Sequence, residues 1–320
     1  MGEFDGCQRR NAMKKAILIF SILALALALG LLGAPEDKAA SLQMSAVPPD
    51  VQWALHIDMQ RLASSTMFKG LLEENGPAKM KGKADGFLGK LKIDPMKDLK
   101  GITVFGRGKK DEDAVVALKG KFDKAHLLGL IKAKEAHKEI PYGKYAIYSW
   151  DGDDFGTFAA DDLILLSESE EAIKAALDTL EKSRQDIVSF PFLARVMKES
   201  PNAILAVAVN SFSDLVREKG KPVILSKIRQ GGGSISESGE NVNLKVSIAA
   251  ESAQVAKDVE QAIRGLIAMA SLQLVDAEAQ AFAQSIKIDV DGENVRIDAS
   301  YPAKKLMDLA RSKGKALSVH

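Results

Sequence analysis

Val51 to Met59 read VQWALHIDM, and within this stretch Val51, Trp53, Leu55, Ile57 and Met59 alternate with Gln52, Ala54, His56 and Asp58. A period of two marks a β-strand, because successive side chains on an extended backbone point to opposite sides. The apolar set is expected to enter a core and the other set to face water. A second stretch, Ala203 to Val209, reads AILAVAV without alternation. Such a run predicts a strand buried on both faces and central in its sheet.

Similar elements follow each strand. After the first, a helical region is expected from about Ser64, broken near Asn75-Gly76-Pro77 and at Asp94-Pro95, where proline and glycine interrupt the hydrogen-bond ladder. Ile102–Phe105 and Ala114–Leu118 read as strands flanking the polar loop 106–113. A helix is expected over 123–136, then a meander of Tyr145–Trp150, Phe155–Ala159 and Leu163–Leu166. Ile173, Ala176, Leu177 and Leu180 then lie along one side of a helix.

The second series begins with a short helix near 191–198 and the Ala203 strand. Phe212–Lys219 reads as helix, Val223–Arg229 as extended, and Gly231-Gly232-Gly233 as a loose connection. Val242, Leu244, Val246 and Ile248 alternate with polar residues, a long helix is expected from Ser252 to about Gln284, and Ile286–Val290 pairs across Asp291-Gly292 with Val295–Ala299. Pro302 opens a last helix. WALHIDMQRL and LAVAVNSFSDL occupy matching places in the two series. The expectation is an α+β fold in two layers, a mostly antiparallel sheet with helices on one face, built from two diverged repeats over residues 46–185 and 186–320.

Residues 1–45 read differently. Ala16 to Ala34, AILIFSILALALALGLLGA, is an uninterrupted apolar run preceded by Lys14 and Lys15 and followed by Pro35-Glu36-Asp37-Lys38. That layout is a secretory signal or, if retained, a membrane tether of minimal length. Small residues at Ala34, Ala39, Ala40 and Ala46 offer cleavage sites, and Met13-Lys14-Lys15 resembles a start that leaves residues 1–12 upstream. The expected location is extracytoplasmic. The single cysteine, Cys7, precedes the run, so a processed form has no disulfide, thiolate nucleophile or cysteine zinc site.

Composition narrows function further. Across 320 residues, 44 basic and 43 acidic side chains give a net charge of +1, so no overall field draws the chain to nucleic acid. The basic stretch 69–110 is interrupted by Glu73, Glu74, Asp85, Asp94 and Asp98 and reads as a solvated face.

Candidate chemistry is sparse. His56 and Asp58 stand two apart on one strand face, the spacing of an acid/base pair or of two metal ligands, although no third ligand is marked. Asp151-Gly152-Asp153-Asp154-Phe155-Gly156 opens like a calcium loop but has Phe155 where an oxygen ligand belongs and Asp162 where glutamate belongs, so a hairpin turn is expected. Gly106-Arg107-Gly108-Lys109-Lys110 lacks the spacing and hydroxyl of a phosphate loop. No nucleophile elbow, zincin motif or dinucleotide fingerprint occurs, and no metal or cofactor is expected.

WALHIDMQRL following a P-x-D, together with KIDPMKDLKGITVFG and AVVALKGKFD, resembles uncharacterised exported proteins common in planctomycete-like bacteria. The resemblance spans most of residues 46–313 and implies export and an α/β architecture, with no settled activity to carry over. The reading is therefore an exported cell-envelope protein that contacts an envelope protein or the wall without catalysis. Two alternatives stand beside it: a binder of lipid or another apolar ligand beneath the alanine-rich helix 252–284, and an envelope hydrolase using His56 and Asp58.

Overall fold

A computed structural model of the chain describes residues 46–75, 91–108, 113–150, 152, 154–183, 191–210, 223–273 and 277–308. The strands are β1 (Trp53–Asp58), β2 (Leu99–Gly106), β3 (Val115–Gly120), β4 (Lys138–Tyr142), β5 (Tyr145–Trp150), β6 (Asp154–Ala160), β7 (Leu163–Ser167), β8 (Ala203–Val209), β9 (Ile228–Ser238), β10 (Asn241–Ala250), β11 (Lys287–Asp291) and β12 (Asn294–Pro302). They form one twelve-stranded sheet in the order β11-β12-β10-β9-β8-β1-β2-β3-β7-β6-β5-β4, with antiparallel neighbours throughout. The fold is α+β. Helices are α1 (Met59–Ser64), α2 (Thr66–Asn75), α3 (Lys124–Lys132), α4 (Glu170–Ser183), α5 (Pro191–Glu199), α6 (Ala253–Gln273) and α7 (Ala277–Gln284).

The two quoted stretches meet at the middle. β1 and β8 pair with His56 opposite Ala206, which joins the two halves of the chain into a single sheet. Outward from β1 run β2, β3, β7, β6, β5 and β4; outward from β8 run β9, β10, β12 and β11. On the first side β1, β2 and β3 are followed by α3 and a four-stranded meander whose last strand, β7, returns against β3; on the second, β8, β9 and β10 are followed by α6 and α7 and a hairpin whose last strand, β12, returns against β10.

Both faces of the first half are covered. Ala54, Phe105, Val115, Ala117, Leu163 and Leu165 pack beneath Ile173, Ala176 and Leu177 of α4 and Phe192 and Val196 of α5. The alternate residues Ile57, Ile102, Val104, Val116 and Ile164 pack with Met59 of α1, Phe68 of α2 and Leu127 of α3. In the second half, Val255, Ala256 and Val259 of α6 cover Ile228, Ala250, Ile288 and Val295. There the arrangement is two-layered, with α5 bordering the polar side.

Burial on two faces corrects the reading of β1. Its expected wet set is the more deeply buried one, with Ala54 at 0% exposure, His56 at 2% and Asp58 at 3%. The cause is position: a strand flanked on both sides in the sheet and covered by helices buries Ala54, His56 and Asp58, while Trp53 and Leu55 on the other face are half-buried. Period two identifies the strand but assigns the wrong environment to half of it.

The three glycines 231–233 differ from expectation for a related reason. They lie inside β9, hydrogen-bonded between β8 and β10, and do not form a loose connection. A Cβ on Gly232 would stand 2.5 Å from the Val207 carbonyl oxygen, and one on Gly233 2.6 Å from that of Lys245. Only bare backbone fits there. Val223–Lys227, expected to be extended, is a 3-10 helix, and the long helix from Ser252 consists of α6 and α7. The edge strand β4 has no counterpart among the sequence expectations. The expected helix Phe212–Lys219 lies outside the described residues, as do the apolar run 16–34, residues 109–112, Asp151, Asp153 and His320. Among the described residues no helix is long and apolar enough to cross a membrane.

Candidate functional site

Asp58 ends β1 and begins α1. Its Oδ1 accepts the backbone N–H of Arg61 at 2.9 Å and its Oδ2 accepts Arg61 Nε–H at 3.1 Å, so the carboxylate is the N-cap of α1. Burial pushes its pKa up, opposed by the backbone and side-chain contacts of Arg61. His56 turns elsewhere. Its Nδ1 lies 3.0 Å from Thr103 Oγ1 on β2, and Nε2 has no hydrogen-bond partner among the described residues. Burial lowers the His56 pKa to about 4, with the Ile102 backbone opposing. The imidazole is therefore neutral at ordinary pH. The strand brings the two residues to one face, but their bonds go to different partners.

The remaining histidines do not converge on this pair. His126 lies on α3, and His137 Nδ1 is 2.8 Å from the Lys134 carbonyl oxygen in an exposed turn. Among the described residues no group of three or more His, Cys, Asp or Glu is placed to hold a metal ion. Gly152, at φ 94°, sits in the turn joining Trp150 to its β6 partner Asp154, as the hairpin reading expects. Arg107 pairs with Asp50 at 2.8 Å and Gly108 accepts the Trp53 indole N–H at 3.0 Å, which ties the β2–β3 loop back to the start of β1.

A different site emerges on the polar side of the second half. Register places Asn243 opposite Ser236 and Ser300, Lys245 opposite Ser234 and Asp298, and Lys287 opposite Asp298. All of these but the buried Ser234 floor a cleft of about 580 Å³ whose wall is Glu199-Ser200-Pro201-Asn202 at the end of α5. Lys245 Nζ donates to the Glu199 carbonyl at 3.0 Å, a cation at a helix C-terminus, and Ser234 Oγ donates to Ser200 Oγ at 2.7 Å. The wall is thereby fixed to the floor. Hydroxyls, two amides and charges of both signs make the cleft a hydrogen-bonding surface without a dominant charge. Sequence alternation in Asn243, Lys245 and Ser247 marks these as one strand face; only register reveals that Ser236, Lys287 and Asp298 join them.

No family model and no curated protein matches the chain. Among solved structures, crystal form I of TP0453 is similar at 11% identity and a TM-score of 0.47, covering 86% of this chain and 99% of that one. Crystal form III of TP0453 is similar at 9% identity and a TM-score of 0.46, covering 86% and 100% respectively.

Proposed function

We propose that this is an extracytoplasmic cell-envelope protein that works by binding a polar partner in the cleft between the end of α5 and β9-β10-β12-β11. The observation that carries the reading is the floor itself: Ser236, Asn243, Asp298 and Ser300 offer donors and acceptors on a sheet face beside a braced wall. Export rests on the sequence of residues 14–38. The shared strand order of the two halves supports their origin as a diverged duplication, in which the first half has its corresponding face covered by α4. The test is a photo-reactive residue at Asn243 in intact cells, with a control on α3 at Lys132. A reproducible adduct at 243 alone, weakened by Lys245→Glu, is the expected result. Equal labelling at both positions, or none at 243, removes the reading.

One observation favours an apolar ligand on the outer side of α6, a different place from the space beneath the helix expected from the sequence. Leu266 and Met269, three positions apart on α6, are 61% and 56% exposed and neighbour each other on the helix surface. If they receive an acyl chain, a fluorescent fatty acid binds the protein, and Leu266→Ser with Met269→Ser abolishes that binding. Unchanged binding by the double variant eliminates this alternative.

A further inference from the structure

β11 is an outermost strand, and its charge order is complementary to itself. Gly292, at φ 55°, makes with Glu293 the two-residue turn to β12, so Asp291 and Asn294 form the closing pair. Alternate residues Asp291, Asp289 and Lys287 then direct backbone groups toward β12, whereas Val290 and Ile288 direct theirs outward. The Ile288 carbonyl accepts Arg264 Nη2–H at 2.9 Å, which agrees with the outward direction. Lys287 and Asp289 are exposed on the polar face, Ile288 is buried beneath α6 and Val290 half-buried.

We propose that β11 pairs antiparallel with β11 of a second copy of this chain, about a twofold axis through Ile288. In this register Ile288 faces Ile288 of the second copy and the two exchange N–H and C=O bonds. Lys287 faces Asp289 of the second copy, and Asp289 faces its Lys287. Lys287 already lies opposite Asp298 and Asp289 opposite Arg296 within the chain. Along each row crossing the seam the charges therefore alternate in sign without interruption, while Ile286 meets Val290 on the other face.

Neighbouring registers fail on charge. Centring the axis on Asp289 sets that carboxylate against itself, centring on Lys287 does the same for the ammonium, and centring on Val290 sets Asp289 against Asp291 twice. Like charges directly opposite one another are destabilising. Arg264 is held by Glu260 at 2.9 Å, so the twofold brings an Arg264–Glu260 pair from each copy to the axis, and the Ile288 carbonyl must use both of its lone pairs, one for Arg264 and one for the partner N–H. A five-residue strand per copy makes a small interface, so the association is concentration-dependent.

The experiment is sedimentation velocity on the full chain across a concentration series, in non-ionic detergent so that the apolar segment 16–34 does not contribute. Lys287→Asp and Asp289→Lys each place two like-charged pairs across the seam and are expected to weaken association roughly tenfold. An equimolar mixture of the two variants makes every facing pair opposite in charge and restores association. Asp291→Lys, on the same strand but facing Ser285, leaves it unchanged. Lys287→Gln and Asp289→Asn, which add no repulsion, replace any reversal that lowers the thermal midpoint and are expected to weaken association by about threefold. The proposal is overturned if the unmodified chain is monomeric up to its solubility limit, if the charge variants associate as it does, or if the mixture shows no recovery.

Discussion

Glu237 and Ser65 stand 172 positions apart in the chain and are joined by a 2.7 Å hydrogen bond from the Ser65 hydroxyl to Glu237 Oε1. The same carboxylate accepts the backbone N–H of Thr66 at 2.7 Å and of Met67 at 2.8 Å, while Ser65 Oγ accepts that of Phe68 at 3.1 Å. A strand of one half thus completes the helix start of the other. The first backbone donors of a helix have no intrahelical partner and favour an anion. Glu237→Ala is expected to lower stability by about 1 to 2 kcal/mol, and Glu237→Gln by less, since it keeps an acceptor without the charge. Urea unfolding of the three proteins checks the order; equal midpoints would show that α2 does not depend on this carboxylate.

Asp58→Asn separates a structural from a catalytic role. Asparagine keeps the cap to the Arg61 backbone but sets an amide NH2 against Arg61 Nε–H, so the variant should lose up to about 1 kcal/mol, and Asp58→Ala, which removes both acceptors, more than that. An envelope-hydrolase activity that disappears in Asp58→Asn while stability holds would instead give the carboxylate a chemical role.

His56 makes the fold acid-sensitive in a defined window. Its pKa is 6.5 in the ordinary state and about 4 when buried, so below 6.5 the unfolded chain binds the proton that the folded chain refuses. Stability is fully present above pH 6.5 and is lost as pH falls toward about 4, by on the order of 3 kcal/mol. Asp58, whose pKa is raised, acts with the opposite sign. The difference between parent and His56→Leu in pH-dependent thermal unfolding isolates the imidazole. Parallel curves between pH 4 and 6.5 would assign the sensitivity elsewhere.

Glycine replacements are expected to diverge by location. Gly232→Ala and Gly233→Ala drive a methyl group against backbone carbonyls and should destabilise by about 1 to 3 kcal/mol. Gly265→Ala on α6, where a Cβ meets nothing within 4 Å, should stabilise by up to about 1 kcal/mol. Thermal midpoints that move together would refute the packing account of Gly232 and Gly233.

How much of this is legible in the residues follows from what each signal encodes. Alternation in Val242–Ile248 and the stripe Ile173, Ala176, Leu177, Leu180 place a strand and a helix correctly, because periodicity records which side meets a core. It does not record how many cores there are, so Ala54, His56 and Asp58 look wet. Gly231-Gly232-Gly233 resembles a linker because the reason for Gly232 and Gly233 lies in Val207 and Lys245 on neighbouring strands. The cleft is illegible as a unit: Ser236, Lys245 and Lys287 come from three strands and meet only through register. Glu237 gives no local sign at all, since the helix it caps begins in the other half.

The pairing of β1 with β8 also fixes an order of events in time. β1 can join β2 soon after synthesis, but its other edge waits until the whole first half and the α5 region have emerged. A chain interrupted in that interval presents a naked strand, rich in Trp53, Leu55 and Ile57, to whatever passes. Nascent chains of this protein are therefore most vulnerable midway, and a guardian that shields extended apolar backbone has its work concentrated there.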